Sequence, residues 1–295
     1  MSIIIGSEGM GIWGKDMISF LISKVDQNIV IRYENTPDCH IVVKSLFTMI
    51  ENEWNKEPKK YIYWSGEYYF PFKNPLETDH LYIITTIDIS TNNLYVPYFL
   101  YSPHINKNRI MPNTNRPHLI AYCSSRYIKN REEMYDKFVE NTPTGSCHAL
   151  GSCCGNHPET KTTRAEGDWK DNILIESYTN YKFVLAIENT KHWGYITEKI
   201  INAYYSGAIP IYWGCSTIDR FFNKKSFIDI SDFESVEKCI EYVLNMDDAA
   251  IEQMTNEPFY NRDNDLVNLL DDEYNKTHPN KTLDTYIEKM KQFLL

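Results

Sequence analysis

Apolar and polar positions recur along this chain with two different periods. Short runs rich in β-branched and aromatic residues predict strands in the first hundred residues: "NIVIRYE" (28–34), "CHIVVKS" (39–45), "KKYIYWSGE" (59–67) and "LYIITTI" (81–87). A helix-period segment, "GKDMISFLISKV" (14–25), precedes them. In the middle, "HLIAYCSS" (118–125) reads as a strand and "NREEMYDKFVENT" (130–142) as a helix that stops before Pro143. Residues 145–168 carry Gly, Ser, Cys, Asn and Pro without periodicity and read as loop.

Beyond that loop the pattern tightens into strand "YKFVLAIEN", helix "TEKIINAYYSG", strand "AIPIYWG" and helix "SVEKCIEYVLNM". Strands alternating with helices of this length predict βαβ units and a parallel sheet, an α/β fold. The last segment, "TLDTYIEKMKQFLL", puts Leu283, Tyr286, Ile287, Met290, Phe293 and Leu294 on one face, so it is expected to dock on the body. The polar, proline-containing stretch "INKNRIMPNTNRPH" separates two α/β patterns. The expected division is therefore a first domain over 1–115, a second over 116–270 and a C-terminal helix within 271–295.

Composition narrows the classes. With 42% hydrophobic and 24% charged residues over 295 positions, the chain can bury two ordinary cores. A net charge of −10 argues against a nucleic-acid partner. No apolar run of about eighteen residues is present, and the N-terminus has no secretory pattern, so a cytoplasmic protein without a transmembrane anchor is expected. The seven cysteines are an odd, scattered set, expected to be reduced thiols. "SCHALGSCCGNH" gathers three of them near His148 and His157, yet the spacing fits no common ligand pattern; no metal is assigned there. "GSEGMG" near the N-terminus lacks the spacing and the preceding strand of a dinucleotide fingerprint.

The chemistry concentrates in "ENTKHWGYITEK" (188–199). Thr197 can cap the helix that follows and Gly207 can end it; Ile196, Ile200, Ala203 and Tyr204 form the inward stripe, with Glu198, Lys199 and Asn202 off it. A cation in the first turn opposes the helix dipole at a cost of about 0.3 kcal/mol or more. A neighbouring anion would explain it, as would simple solvation on a surface helix. Glu188 and Asn189 could bind a hydroxyl-rich ligand or cap the strand end.

The stretch "FVLAIENTKHWGYITEKIINAYYSGAIPIYWG" (183–214), continued by "FFNKKSFIDISDF", resembles the donor-binding motif of the α-1,3/4-fucosyltransferases, glycosyltransferase family 10, and its bacterial members in particular. Ile187 departs from the Phe common there. More weakly, "YWSGE" (63–67) is similar to the family's strand end bearing the base, and "NREEMYDKF" to a helix whose Arg contacts the donor. "YFPFKNP" (69–75) departs from the pattern and leaves acceptor choice open.

The resemblance implies a GT-B architecture, two Rossmann-like domains facing across a cleft, and inverting transfer of L-fucose from GDP-β-L-fucose to a glycan hydroxyl, with the 3-OH of GlcNAc or Glc expected. It makes Glu67 the catalytic base and Arg131, Asn189, Tyr195, Glu198 and Lys199 the donor-binding set. No metal is then required, with Mn²⁺ at most stimulatory, because protein cations face the diphosphate. Lys191, His192 and Trp193 lie where the family varies, a place for a lid over the nucleotide sugar. A same-fold transferase using another nucleotide sugar, or a non-catalytic carbohydrate-binding relative, would share these residues.

Overall fold

The computed structural model describes residues 4–8, 12–26, 28–32, 36–45, 60–68, 81–84, 93–102, 109–110, 116–162 and 172–295. Two compact units are formed, one of Met1–Tyr101, Trp193–Tyr195 and Arg262–Leu295, the other of Ser102–His192 and Ile196–Asn261. Residues 262–270, read from sequence with the second domain, thus group with the first unit. The stretch marked as the boundary lies largely outside the described residues; its Arg109 and Ile110 pack in the second unit, donating to the Tyr204 and Tyr205 carbonyls at 2.8 and 2.9 Å.

In the first unit β1 (Ile4–Glu8), α1 (Ile12–Val25), β2 (Val30–Ile31), β3 (Ile41–Ser45), β4 (Lys60–Ser65), β5 (Leu81–Ile84) and β6 (Asn93–Tyr95) are joined by α7 (Asp272–Thr277) and α8 (Lys281–Leu294). The strands are all parallel in the order β2-β1-β3-β4-β5-β6. A parallel sheet covered on both faces buries successive residues rather than alternate ones. That is why "YIYW" of β4 is buried throughout. The register aligns Ser65 with Ile84 and Ile84 with Tyr95, so the carboxyl ends of β4 and β6 lie in one row. α8 buries Leu283, Tyr286, Met290 and Leu294; the Tyr286 hydroxyl donates to the Tyr95 carbonyl and Lys289 Nζ to the Asn93 carbonyl at 3.0 Å.

The second unit runs β7 (His118–Tyr122), α2 (Lys129–Glu140), β8 (Cys147–Ala149), α3 (Asn172–Tyr178), β9 (Tyr181–Ile187), α4 (Glu198–Tyr205), β10 (Ile209–Trp213), β11 (Ile228–Asp229), α5 (Val236–Leu244) and α6 (Asp248–Asn256). Its sheet is also parallel, in the order β11-β10-β9-β7-β8. Ile120, Tyr122, Phe183, Leu185, Ile209 and Ile211 meet Tyr135 and Phe138 of α2 in its core.

Three sequence readings are corrected. A strand does precede "GSEGMG": β1 includes its first three residues and pairs with strands on both sides, hidden in sequence because only a few apolar residues precede Gly6. The 145–168 stretch contains β8, an edge strand too short to show a period. α4 is not an amphipathic surface helix, since Ile200, Ile201, Asn202, Ala203 and Tyr205 are all buried. Its remaining flank is covered as well: the Arg109 guanidinium lies 4.0 Å over the Tyr204 ring, which stacks at 3.9 Å on Phe259.

Candidate active site

β9 is apolar from Phe183 to its end and is followed by Glu188, which has no solvent exposure at all. A buried carboxylate must find donors. Glu188 Oε1 accepts the Thr197 backbone N–H at 2.7 Å, and both carboxylate oxygens accept the Thr197 hydroxyl, at 3.0 and 2.8 Å. The end of one strand thereby satisfies an otherwise orphaned amide at the start of α4. Gly214, after β10, makes room for it. A Cβ there would lie 2.6 Å from both Glu188 Cγ and the Tyr212 hydroxyl oxygen.

The cation of the same cluster is Lys199. Its Nζ lies 3.3 Å from Glu188 Oε2 and 3.5 Å from Glu198 Oε1, and it donates to Thr197 Oγ1 at 2.9 Å. With 22% of its side chain exposed, Lys199 is held in place and still reaches solvent. Burial raises the Glu188 carboxyl above the ordinary range, an effect that the Lys199 charge and the Thr197 hydrogen bonds only partly offset. Burial works against the Lys199 ammonium too, but the Glu198 and Glu188 charges outweigh it and lift the amine above its ordinary value. Lys199 therefore stays charged, and the surface-helix reading of it is replaced by a paired, positioned ammonium.

Arg131 comes from the first turn of α2 and is buried. Nη1 donates to Asn189 Oδ1 at 2.7 Å, while Nη2 donates to Ser124 Oγ at 2.5 Å and to the Arg126 carbonyl at 2.6 Å. Nε is left without a hydrogen-bond partner among the described residues. The turns after β7 and β9 are thus tied to α2 through one guanidinium, at the carboxyl ends of parallel strands where open α/β sheets bind ligands. Arg131, Asn189, Glu198 and Lys199 all lie at this end of the second unit.

Two of the expected residues, Tyr195 and Glu67, group with the first unit. Tyr195 is buried and groups with the first unit, its ring edge-on to Tyr68 with centroids 5.7 Å apart. Glu67 lies two residues past β4, half-buried, its N–H donating to Ser65 Oγ at 3.2 Å. The Gly66 between them lets the Tyr98 ring approach, because a Cβ would meet that ring at 2.5 Å. "YFPFKNP" lies outside the described residues.

Glu188 and Thr197 are the site residues that the sequence reading left out of the donor set. The signal was present in a strand whose last five residues, Phe183 to Ile187, are apolar and which is followed by a carboxylate nine residues before an N-cap threonine; only the fold pairs them. The cysteine loop is organised by α2 instead: Glu132 accepts the Tyr122 hydroxyl at 2.6 Å and the Gly155 N–H at 2.8 Å, and Asp136 accepts the Asn156 N–H at 2.7 Å. Among the described residues no disulfide joins the seven cysteines, and no group of three His, Cys, Asp or Glu is placed to hold a metal. No helix among them is long and apolar enough to cross a membrane.

Comparison with known proteins gives likenesses in sequence and in fold. Residues 113–257 match the model of the glycosyltransferase family 10 (fucosyltransferase) C-terminal region. An α-(1,4)-fucosyltransferase of Arabidopsis thaliana is 34% identical over 160 residues, 50% of this chain and 39% of the relative. The α-(1,3)-fucosyltransferase FucT of Helicobacter pylori is 48% identical over 68 residues, 23% and 14% of the two chains. The chain spans less than half the length of these curated relatives. Solved structures of an α1,3-fucosyltransferase, with GDP and with GDP-fucose, match at TM-scores of 0.67 and 0.66 and 20% identity, covering 99% of this chain and 90% of theirs. A DNA-modifying β-glucosyltransferase matches at 0.52 and 13% identity over all of this chain. At these identities the likeness speaks for the fold, which is α/β and of the GT-B type. In sequence, the segment 113–257 is thus similar to the fucosyltransferase C-terminal region of glycosyltransferase family 10.

Proposed function

We propose that the protein is an inverting fucosyltransferase, moving L-fucose from GDP-β-L-fucose to a hydroxyl of a glycan, with the 3-OH of GlcNAc or Glc as the favoured acceptor atom. The observation that carries this reading is the pairing of a buried Arg131–Asn189 bridge with a charged Lys199 at the carboxyl end of a family 10 parallel sheet.

The leaving group is a nucleoside diphosphate whose negative charge grows as the glycosidic bond breaks. Arg131, Lys199 and the amides opening α4 supply fixed positive charge against it, without solvent having to reorganise. Asn189 and Glu198 hydrogen-bond hydroxyls of the ribose or fucose, while Tyr195, buried against Tyr68, is given no donor contact. The acceptor hydroxyl must lose its proton as it attacks the anomeric carbon from the face opposite the departing phosphate, which inverts the centre. Glu67 is the carboxylate for that proton. Protein cations meet the charge requirement, so no metal ion is essential.

The test is incubation of the protein with GDP-fucose and a panel of oligosaccharides, read by product mass and by NMR of the new linkage. An added deoxyhexose in α-linkage supports the proposal. Transfer from another nucleotide sugar and none from GDP-fucose would assign the fold to a different donor.

A further inference from the structure

Trp193, Gly194 and Tyr195 interrupt the donor motif and group with the first unit, although the residues on either side of them in the chain group with the second. Their contacts within the first unit are specific. The Tyr95 hydroxyl donates to the Gly194 carbonyl at 3.0 Å, and the Trp193 ring tilts against that of Tyr95 with centroids 5.2 Å apart. Tyr195 meets Tyr68 edge-on. Gly194 turns the chain between them with φ +74°, a conformation that costs a glycine little.

Tyr95 is the last residue of β6, and Tyr68 follows Glu67 just beyond β4. Because Ser65, Ile84 and Tyr95 are in register, the three-residue segment runs along the carboxyl edge of the sheet, from the end of β6 towards the end of β4, a span of about 10 Å for two strand spacings. Its floor is rigid, since Tyr286 and Lys289 of α8 bond the backbone of β6 directly. Two aromatic side chains on this edge remain open to solvent, Trp193 and Tyr68, each 37% exposed. Two ring pairs, Tyr95–Trp193 at the end of β6 and Tyr68–Tyr195 beyond β4, each leave one ring in water, and a carboxylate is next in sequence to Tyr68.

We propose that Trp193 and Tyr68 each offer a stacking face to a pyranose ring of the acceptor, Tyr68 next to Glu67 in sequence, so that the donor motif's own loop contributes to acceptor recognition. The inference rests on the fucosyltransferase reading for its assignment of Glu67. The chemistry follows from the residue types: an indole and a phenol present flat, electron-rich faces to the C–H face of a sugar, while a carboxylate takes a hydroxyl on its rim. It also gives the variable segment of the motif a role distinct from covering the nucleotide sugar.

The test uses the full chain with N-acetyllactosamine and GDP as separate probes, so that saccharide binding, donor binding and transfer are read independently. Saturation-transfer NMR follows the disaccharide, calorimetry follows GDP, and melting curves check the fold. Trp193→Ala and Tyr68→Ala should each weaken N-acetyllactosamine about fivefold or more and leave GDP affinity unchanged, with Trp193→Phe restoring most of the loss. Where Trp193→Ala melts early, Trp193→Leu keeps the apolar bulk without the aromatic face and should show the same loss. GDP binding that falls while disaccharide binding holds would assign Trp193 to the donor and overturn the proposal; unchanged disaccharide binding would overturn it equally. A wild-type protein that binds N-acetyllactosamine through Trp193 but transfers no fucose leaves these stacking faces standing and removes the transferase reading.

Discussion

Lys199 Nζ lies 3.3 Å from Glu188 Oε2, an ammonium with a path to water beside a carboxylate that has none. The pair does two things at once. Glu188 ties the end of β9 to the start of α4 through Thr197, and its charge holds the Lys199 ammonium beside the opening of α4.

Removing one partner of a buried pair strands the other. Lys199→Ala is expected to cost about 3 kcal/mol of stability as well as GDP affinity. Lys199→Met combined with Glu188→Gln should recover most of the stability but none of the affinity. Urea denaturation and GDP calorimetry on the single and double variants separate the two effects, and additive stability losses would count against a coupled pair.

Gly214→Ala tests the same contact without touching a charge. The added methyl would press on Glu188 Cγ and the Tyr212 hydroxyl at 2.6 Å, both buried. A loss of roughly 1–3 kcal/mol is expected from overpacking, with weaker GDP binding because Glu188 and Lys199 move together. A stability equal to wild type in urea titration would show that the strand end can yield.

Glu67→Gln keeps the shape of the side chain and removes its basicity. Transfer should fall by roughly 10²–10⁴-fold, while GDP affinity stays within about twofold because Glu67 belongs to the first unit and the cations proposed for the diphosphate, Arg131 and Lys199, to the second. Single-turnover rates and GDP calorimetry check this. Equal loss of both would take the base role away from Glu67.

Two buried thiols give the fold an alkaline limit. Burial pushes Cys147 up to about 11 and Cys239 up to about 12, against about 8.5 in an unfolded chain. A raised thiol contributes stability in full below the unfolded value and loses it as pH climbs through the folded one. The melting temperature should therefore decline from about pH 9 upward, less steeply in Cys239→Ala. At neutral pH an alkylating reagent should reach the partly exposed Cys123 and Cys153 and spare Cys147 and Cys239.

Much of this molecule was legible in the order of its residues. "YKFVLAI", "TEKIINAYY" and "IPIYW" declare a β-α-β unit because a largely apolar run, a capping threonine and a terminating glycine act locally, over one or two turns of chain. Gly207 ends α4 at φ +79° for the same local reason. The resemblance to a known motif proposed Lys199, Asn189 and Arg131 as a donor set. What spacing could not supply is which groups meet. The strand β1 looked too short and too polar to exist, since its stability comes from hydrogen bonds to β2 and β3 rather than from its own pattern. The role of Glu188 depended on burial and on an amide nine residues away, and α4 lost its apparent polar face only when its neighbours packed around it. Trp193 and Tyr195, read from sequence with the donor, were assigned by tertiary structure to the carboxyl edge of the other unit's sheet. The residues themselves determined the local elements and the kinds of chemistry on offer. Long-range pairing, burial and charge compensation, which no window of sequence contains, decided where that chemistry came together.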